Sequence, residues 1–525
     1  MVADAPPRRS TVLLRWVVIG AAVAVAGAGC GTTTHRPPTA AASATPGVTA
    51  PQVAGGGAAW PEFGVDPQRS DVSSAATGIG PANVGTLRRR SVHLPGTVDS
   101  SPIYLPQAVV DGGRRNVFVM TTTYGVTLAL GAGSGRILWT YRPPGLAAWL
   151  GSPRITTATP VAGPGGYVYA AAPDGRIHKL ALADGHEVHT GGWPARVTLD
   201  PAREKLAAAL NLDGPDVVAT TSGYFGDQPP YQGHVVTIDR STGRIVSVFN
   251  VLCSDRHHLV APASCPAQRA GIWARAGAVV VPGTGRLLVA TGNGDFNGRT
   301  DWAQSVLELS PGTGALLGTW TLPHPSATSA ADVDLGSTAP ALLPVSTGTL
   351  VLQGGKDGVL HLVRLPMGSA APAGAGPVAA TQVSQLPAPG GAEVLTQPAV
   401  WTRGGRTTVF VATGGGTAAY RLVGPPPRLT PLWHNATPGT SPVLAGNLVY
   451  VFDPRHGALD VYLPDTGRRV AVLPAAPGHW NSPVIAGARI ALPVGNANQH
   501  RTGGTLELYG LPQPASPPVS DTGGP

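Results

Sequence analysis

The sequence predicts an all-β protein, and its internal repeats predict an eight-bladed β-propeller of four-stranded antiparallel blades. Of the 525 residues, 42% are hydrophobic and 12% are charged, a balance that can bury a large core. Glycine and proline, present 71 and 54 times, cut the hydrophobic runs into pieces of about four to seven residues, which suit strands rather than helices. A pattern of short strands and glycine-containing turns then recurs along the chain.

Residues 1–30 have the composition of an export signal. Three arginines precede an apolar stretch from Trp16 to Ala28, which is shorter than the roughly 20 residues that a stable membrane-spanning helix needs. Small residues then lead to Cys30. The adjacent arginine pair leaves both the twin-arginine route and the general export route open.

The segment AGAGC resembles a bacterial lipobox, which implies that Cys30 is lipidated and anchors the protein to a membrane. The expected location is the outer face of the cytoplasmic membrane or the cell envelope, and the alternative is cleavage to a free soluble protein. Residues 31–58 are rich in Thr, Ala, Pro and Gly and are predicted to form a disordered tether. Residues 512–525 are predicted to form a disordered tail.

Residues 59–511 contain eight copies of the repeat, of which VFVMTTTYGVTLALGAGSGRILWTY is one and YVYAAAPDGRIHKLALADGHEVHTGGW the next. Their spacing of roughly 40 to 70 residues matches one propeller blade. The last copy lacks an outer strand, and the segment around Trp60 is expected to supply it, so that strands from both termini close the ring. Trp139, Trp193 and Trp433 end outer strands and are predicted to pack one blade against the next.

The charge pattern excludes a nucleic-acid partner. The formal net charge of +8 is spread thinly, and its one dense cluster, 88–90, fits the solvated side of a strand. The sequence has three cysteines and no C-x-x-C-H haem motif. In an exported protein, Cys253 and Cys265 are expected to form a structural disulfide.

The order "strand, G-x-x-x-x-L, x-x-T-G, strand, W" resembles the pyrroloquinoline quinone (PQQ) repeat. From Trp60 onward the chain is similar to the eight-bladed propeller of the quinoprotein alcohol dehydrogenases. Such propellers also serve cofactor-free scaffolds such as the BamB-like outer-membrane assembly lipoproteins, so the resemblance implies a fold more firmly than an activity.

The resemblance implies a role for four residues. Trp273 would lie flat against the quinone, and Asn293 in ATGN would bind calcium. Asp332 would act as the catalytic base and as a metal ligand, and Lys356 in GGKDG would contact a quinone oxygen. Only three of the 36 basic residues are lysines, and a compact ammonium group suits a contact with a single oxygen better than the planar fork of arginine does.

The sequence departs from the enzyme pattern in two places. The glutamate ligand of the family is absent, and Asp227 is the nearest carboxylate that could replace it as a metal ligand. The adjacent cysteine pair found in many quinoprotein dehydrogenases is also absent. Each site residue also has a plainer interpretation: a turn at Lys356, Asn293 or Asp332, and packing at Trp273.

Two functions follow as expectations. In the first, the protein binds PQQ and a divalent cation, expected to be calcium, and oxidises alcohols or polyols. In the second, it is a lipid-anchored, non-catalytic scaffold that binds a protein or glycan partner at the cell envelope. The sequence does not predict an oligomeric state.

Overall fold

The computed structural model describes residues 58–346, 348–366 and 376–512, which form eight four-stranded antiparallel blades in a propeller ring. The predicted fold class is therefore confirmed. The export signal with Cys30, nearly all of the tether and the tail lie outside the described residues. Among the residues described, no helix is long and apolar enough to cross a membrane.

Each of the first four blades runs outward from its inner strand in chain order. The strands of blade 1 are Ile103–Val110, Gly113–Thr121, Thr127–Gly131 and Ile137–Tyr141. Those of blade 2 are Val161–Gly163, Tyr167–Ala172, Arg176–Ala181 and Ala195–Arg196. Those of blade 3 are Asn211–Asp213, Asp216–Thr220, His234–Asp239 and Ile245–Asn250. Those of blade 4 are Val279–Val280, Leu287–Ala290, Ser305–Leu309 and Leu316–Thr321.

The second half of the ring repeats this plan. The strands of blade 5 are Ala341–Leu343, Thr349–Gly354, Val359–Leu365 and Thr381–Pro387. Those of blade 6 are Ala399–Arg403, Arg406–Thr413, Gly416–Val423 and Arg428–Asn435. Those of blade 7 are Val443–Ala445, Leu448–Asp453, Ala458–Tyr462 and Arg469–Pro474. Blade 8 takes Val484–Ala486, Arg489–Val494 and Gly504–Gly510 from the carboxyl-terminal part of the chain.

Short elements complete the described structure. Val72–Ser73 and Val378–Ala379 add parallel to blades 7 and 4, and Glu204–Lys205 pairs with Ser222–Gly223. One α-helix spans Pro325–Ala330. Single 3₁₀ turns occur at Val84–Thr86, Leu146–Ala148, Pro262–Ser264, Leu335–Ser337, Pro389–Gly391 and Ala497–Gln499.

The ring closes through a strand that the sequence analysis did not choose. Arg88–Leu94 is the outer strand of blade 8 and pairs antiparallel with Gly504–Gly510 along its whole length. The prediction that both termini contribute to closure is confirmed, but the choice of the segment around Trp60 was wrong. The three arginines at 88–90 are exposed on this outermost strand, where Arg89 lies 3.9 Å from Glu507 and Arg90 donates to the Ser134 carbonyl.

The segment from Trp60 to Ser73 instead crosses the central channel. Its backbone bonds to the inner strands of blades 1, 2, 4, 6 and 7, at Tyr104, Ala162, Val280, Val400 and Leu444. The side chain of Asn211 extends these contacts to blade 3 through the carbonyl of Pro67. We call residues 60–73 the channel plug. Each inner strand otherwise lies beside only those of the two adjacent blades. The plug contacts six blades and so fixes their inner strands relative to one another.

Arg69 holds the plug in place through its buried side chain. Its side chain is fully buried and donates hydrogen bonds to the carbonyl oxygens of Phe63, Leu210 and Ala276, while pairing with Glu62 at 3.0 Å. Every end of the guanidinium thus has a partner, as a buried charge requires.

The predicted tryptophans do pack between blades, and the glycine of the next turn receives them. Trp433 in the outer strand of blade 6 donates a hydrogen bond of 2.7 Å to Pro464 in blade 7. A Cβ atom on Gly467 would lie 2.5 Å from the Trp433 ring. Trp139 meets Leu182 and Gly185 of blade 2 in the same way. The tryptophan of one blade therefore packs on the glycine of the T-G or D-G turn in the next blade.

We expect Gly467→Ala to lower the free energy of unfolding by about 2 kcal/mol or more, because the new methyl group overlaps the Trp433 ring. Gly467 also has φ +67°, which costs a non-glycine residue about 1 kcal/mol by itself. Gly404→Ala is the matched control, since Gly404 has φ +56° and no atom within 4 Å of its would-be Cβ. Urea unfolding of both variants measures the difference, and equal losses would contradict the packing role.

Candidate functional site

Each candidate site residue lies either just before the inner strand of a blade or just after its second strand. Trp273 lies before the inner strand of blade 4, and Asn293 follows its second strand. Asp332 precedes the inner strand of blade 5, and Lys356 follows its second strand. Because neighbouring strands in each blade are antiparallel, these positions all come to one face of the ring.

The structure brings the four predicted residues together. The Asn293 amide nitrogen donates to an Asp332 carboxylate oxygen at 2.6 Å, and Lys356 Nζ lies 3.2 Å from the other oxygen. Lys356 Nζ also lies 5.6 Å from the ring centre of Trp273, within the range of a cation–π contact. The predicted convergence of indole, amide, carboxylate and ammonium is thus what the structure contains.

Asp334 lies at the centre of this group, although the sequence analysis did not choose it. It pairs with Lys356 at 2.6 Å and accepts hydrogen bonds from the backbone and side chain of Asn293 at 2.7 and 3.2 Å and from the Trp273 indole at 3.4 Å. Its side chain is 6% exposed, whereas that of Asp332 is 71% exposed. Asp334 is therefore the inner carboxylate of the site and Asp332 the outer one.

The two charges of the inner pair affect each other's titration. Burial raises the pKa of Asp334, and Lys356 opposes that rise without cancelling it. Burial lowers the pKa of Lys356, but Asp334 and Asp332 outweigh this effect and raise it above its usual value. The lysine therefore remains charged at neutral pH, and its charge keeps Asp334 ionised more readily than burial alone would allow.

The Asn293 amide is held by Gln304 behind it. Gln304 accepts a hydrogen bond from the Leu335 backbone and donates one of 2.8 Å to the Asn293 side-chain oxygen. The Asn293 amide nitrogen consequently faces the two carboxylates. A half-turn of this amide would direct its oxygen toward the carboxylates and would break the bond from Gln304.

Asp227 lies nearby but outside the group. Its carboxylate accepts a hydrogen bond of 2.9 Å from Tyr231, and its charge adds to the rise in the pKa of Asp334. Among the described residues it has no hydrogen bond or ion pair with Asn293 or Asp334. Its predicted role as a metal ligand would need movement of the loop that carries it.

Blade 8 adds an aromatic group that the sequence analysis missed. Trp480 stacks on Trp273 with ring centres 5.7 Å apart and planes inclined by 25°, and His479 stacks on Trp480. The Arg275 guanidinium lies 5.0 Å from the ring centre of Trp480. Trp480 precedes the inner strand of blade 8, the same kind of position that Trp273 takes in blade 4, and this equivalence was the available signal.

The predicted disulfide is present. Cys253 and Cys265 are bonded, with Cα atoms 6.1 Å apart, and both side chains are buried. The bridge closes the loop after blade 3, and Asp301 accepts a hydrogen bond from the Cys253 backbone.

The oxygen donors fit a hard cation. Asn293, Asp332 and Asp334 bring an amide and two carboxylates to one place, which is the chemistry that calcium prefers. Lys356 Nζ contacts both carboxylates in this structure, so a bound cation would compete with the ammonium group.

The aromatic pair fits a flat anion. Trp273 and Trp480 offer indole surface, with Lys356 beside the first ring and Arg275 beside the second. PQQ carries several carboxylates, which the Lys356 ammonium would attract. Trp480 already covers part of Trp273, so a flat ligand would share or displace it.

Structural comparison identifies the fold. The quinohemoprotein alcohol dehydrogenase of Pseudomonas putida HK5 matches with a TM-score of 0.62 and 16% identity, over 88% of this chain and 82% of that one. The quinohemoprotein alcohol dehydrogenase of Comamonas testosteroni matches with a TM-score of 0.61 and 16% identity, over 87% and 82%. The chain has the quinoprotein alcohol dehydrogenase fold.

A europium-containing methanol dehydrogenase shares this propeller with a TM-score of 0.62 and 15% identity, over 86% of this chain and 98% of that one. No protein-family model matches the sequence, and no curated protein matches it. At these identities the quinoprotein alcohol dehydrogenase fold is shared, while cofactor and activity must be argued from the residues of the site.

We expect Lys356→Met to lower the free energy of unfolding by about 1–3 kcal/mol at pH 7 in metal-free buffer, because it leaves the Asp334 carboxylate buried without its cation. The substitution raises the pKa of Asp334 further. Because the pKa of Asp334 is higher in the folded than in the unfolded protein, protonation of Asp334 favours the folded state. The loss of unfolding free energy should therefore shrink as the pH falls from 7 to 5.

Urea unfolding at both pH values measures this effect. The double variant Lys356→Met/Asp334→Asn is the control, since it removes both charges and should not show the pH dependence. An equal loss at pH 5 and pH 7 in the single variant would contradict the coupling.

Proposed function

We propose that this protein binds a PQQ-type quinone and a divalent cation at the face of the ring formed by blades 4, 5 and 8, and oxidises alcohols or polyols there. The observation that carries the proposal is the convergence of Trp273, Asn293, Asp332 and Lys356, together with Asp334, at one mouth. The names of the structural neighbours, two quinohemoprotein alcohol dehydrogenases and a methanol dehydrogenase, support the same chemistry.

Three side chains would hold the cation. Asp334 is buried and fixed by Asn293 and Trp273, so it would form the rigid inner ligand. Asn293 would turn its oxygen toward the metal, and Asp332 would complete the set from the outer side. Lys356, displaced from the carboxylates by a bound cation, would be free to contact a quinone oxygen.

Asp332 is the group placed to receive a proton from the substrate. Its side chain is largely exposed at the mouth, so an alcohol can reach it without rearrangement of the ring. A carboxylate at this position can accept the hydroxyl proton of a bound alcohol. The bound quinone supplies the acceptor for the two electrons removed from the alcohol.

The first test measures binding without activity. Europium luminescence reports metal bound by the full protein, and quenching of tryptophan fluorescence then reports addition of PQQ in the presence of calcium or europium. We expect Asp334→Asn to weaken metal binding by about tenfold or more, because one charged ligand is lost. We expect Trp273→Ala and Lys356→Ala to weaken PQQ binding by a similar factor.

Trp401→Ala and Lys179→Met are the matched controls, because they remove a half-buried tryptophan and a buried lysine from other blades. Dye reduction with a panel of alcohols follows once binding is established. Failure of both metal and PQQ to bind at high micromolar concentration would refute the proposal.

A second candidate function, a non-catalytic scaffold for a protein or glycan partner at the cell envelope, is favoured by a different observation. The site satisfies itself without a ligand, since two carboxylates pair with Lys356 and Trp480 covers part of Trp273. If this reading is correct, Lys356→Ala will destabilise the protein and leave partner binding unchanged.

A further inference from the structure

A second polar cluster lies beside the aromatic pair and takes no part in the proposed chemistry. It consists of Asp99 before blade 1, Lys205 before blade 3 and Arg275 before blade 4, and we call it the channel cluster. All three side chains are at least nine-tenths buried. Arg275 lies 3.2 Å from one Asp99 oxygen and stands over the Trp480 ring, which places the cluster next to the candidate site.

The channel cluster has hydrogen-bonding groups that no described residue satisfies. The second oxygen of Asp99 and the Nε of Arg275 are both buried without a partner. The Lys205 side chain has no hydrogen bond and no ion pair with any described residue, although the residue is only 8% exposed. Buried polar groups nearly always have partners, so two buried unpaired atoms beside an unpaired lysine favour the binding of something polar.

The surroundings direct Lys205 toward the channel. It occupies a short strand in which Glu204 points the other way, to the buried His234 at 3.1 Å. The charges that reach Lys205 are those of Arg275 and Asp99, and His479 faces the same Asp99 carboxylate at 2.7 Å. Lys205 is thus an unpaired cation beside a carboxylate, Asp99, that already has three partners: Arg275, His479 and the backbone N–H of Ala497.

The charge balance selects the kind of ligand. Lys205 and Arg275 present unpaired donors and a net positive charge, which favours an anion. The free oxygen of Asp99 repels a second anionic oxygen and accepts a hydrogen bond from a hydroxyl group. A small molecule with a carboxylate at one end and a hydroxyl group beside it meets both requirements.

We propose that the channel cluster is a binding site for a small hydroxycarboxylate, with the carboxylate held by Lys205 and Arg275 and the hydroxyl group donating to Asp99. The site stands independently of the quinone proposal, because none of its three residues is assigned to the metal or to the quinone oxygen.

Lysine suits this position better than arginine because its amine can gain a proton when an anion binds and lose it when the anion leaves. Burial, and next the charge of Arg275, lower the pKa of Lys205 to about 7. Without a ligand, the amine can therefore stay neutral above that pH, and binding of an anion favours its protonation. Affinity for the anion should consequently fall as the pH rises above 7.

Calorimetric titration of the full protein, without quinone or added metal, tests the site with glycolate at pH 6. We expect Lys205→Met to weaken glycolate binding by about tenfold or more, since one charged hydrogen bond is lost. Lys205 has no hydrogen bond to lose, so the variant should fold, and a thermal melt checks this. Lys179→Met is the matched control: Lys179 is also 8% exposed, but it bonds to the Arg240 carbonyl between blades 2 and 3.

Related probes examine each part of the assignment. Acetate lacks the hydroxyl group and should bind several-fold more weakly than glycolate; equal affinity would overturn the role of Asp99. Inorganic phosphate binding as tightly as glycolate would overturn the carboxylate class. Binding that is unchanged from pH 6 to pH 8.5, or a pH dependence that persists in Lys205→Met but disappears in His479→Gln, would overturn the role of Lys205.

Absence of glycolate binding at about 10 mM would mean that ordered water alone satisfies these groups, and would overturn the proposal. Because neither PQQ nor metal is present, this result would leave the quinone proposal standing. Loss of quinone binding would equally leave the channel cluster untouched.

Discussion

Closure of the ring by Arg88–Leu94 is the constraint on which the rest of the structure depends. Each blade packs only on its neighbours, so the position of the axis is defined only when blade 8 meets blade 1. The pairing of this strand with Gly504–Gly510 completes blade 8 from the other end of the chain. Residues that are more than 200 positions apart, such as Trp273 and Trp480, come into contact as a result.

Closure also explains why the centre of the protein is polar. Eight inner strands converge there, and the segments before them carry short polar side chains and charges that cannot all find partners within one blade. Pairs such as Arg275 with Asp99 therefore form across the channel rather than along the chain. The propeller packs apolar side chains between its blades but leaves some hydrogen-bonding groups at its centre without partners. Concave sites with such groups are where ligands usually bind.

The sequence predicted those features that are local or repeated. The Trp433 and Gly467 contact recurs between other blades, as at Trp139 and Gly185, so the blades could be recognised without a structure. Asn293 and Lys356 could be placed by motif, because each follows a second strand in a T-G-N or G-G-K turn. The disulfide followed from two cysteines in an exported chain.

The remaining features depend on distant parts of the chain. Trp480 and Lys205 belong to no sequence motif. Only the residues that the ring brings next to them suggest a role for either. Asp332 and Asp334 differ in burial because of the segments packed around them, which alternation along the sequence does not encode. Arg88–Leu94 has consecutive charges instead of a strand-like alternation, since an outermost strand needs only one partner.

The channel plug holds together blades that are not neighbours in the ring. Residues 60–73 bond to inner strands on both halves of the ring, and Arg69 is buried among them. Asp332, Lys356 and Trp480 belong to blades 5 and 8, so their positions depend on the ring that this segment holds together.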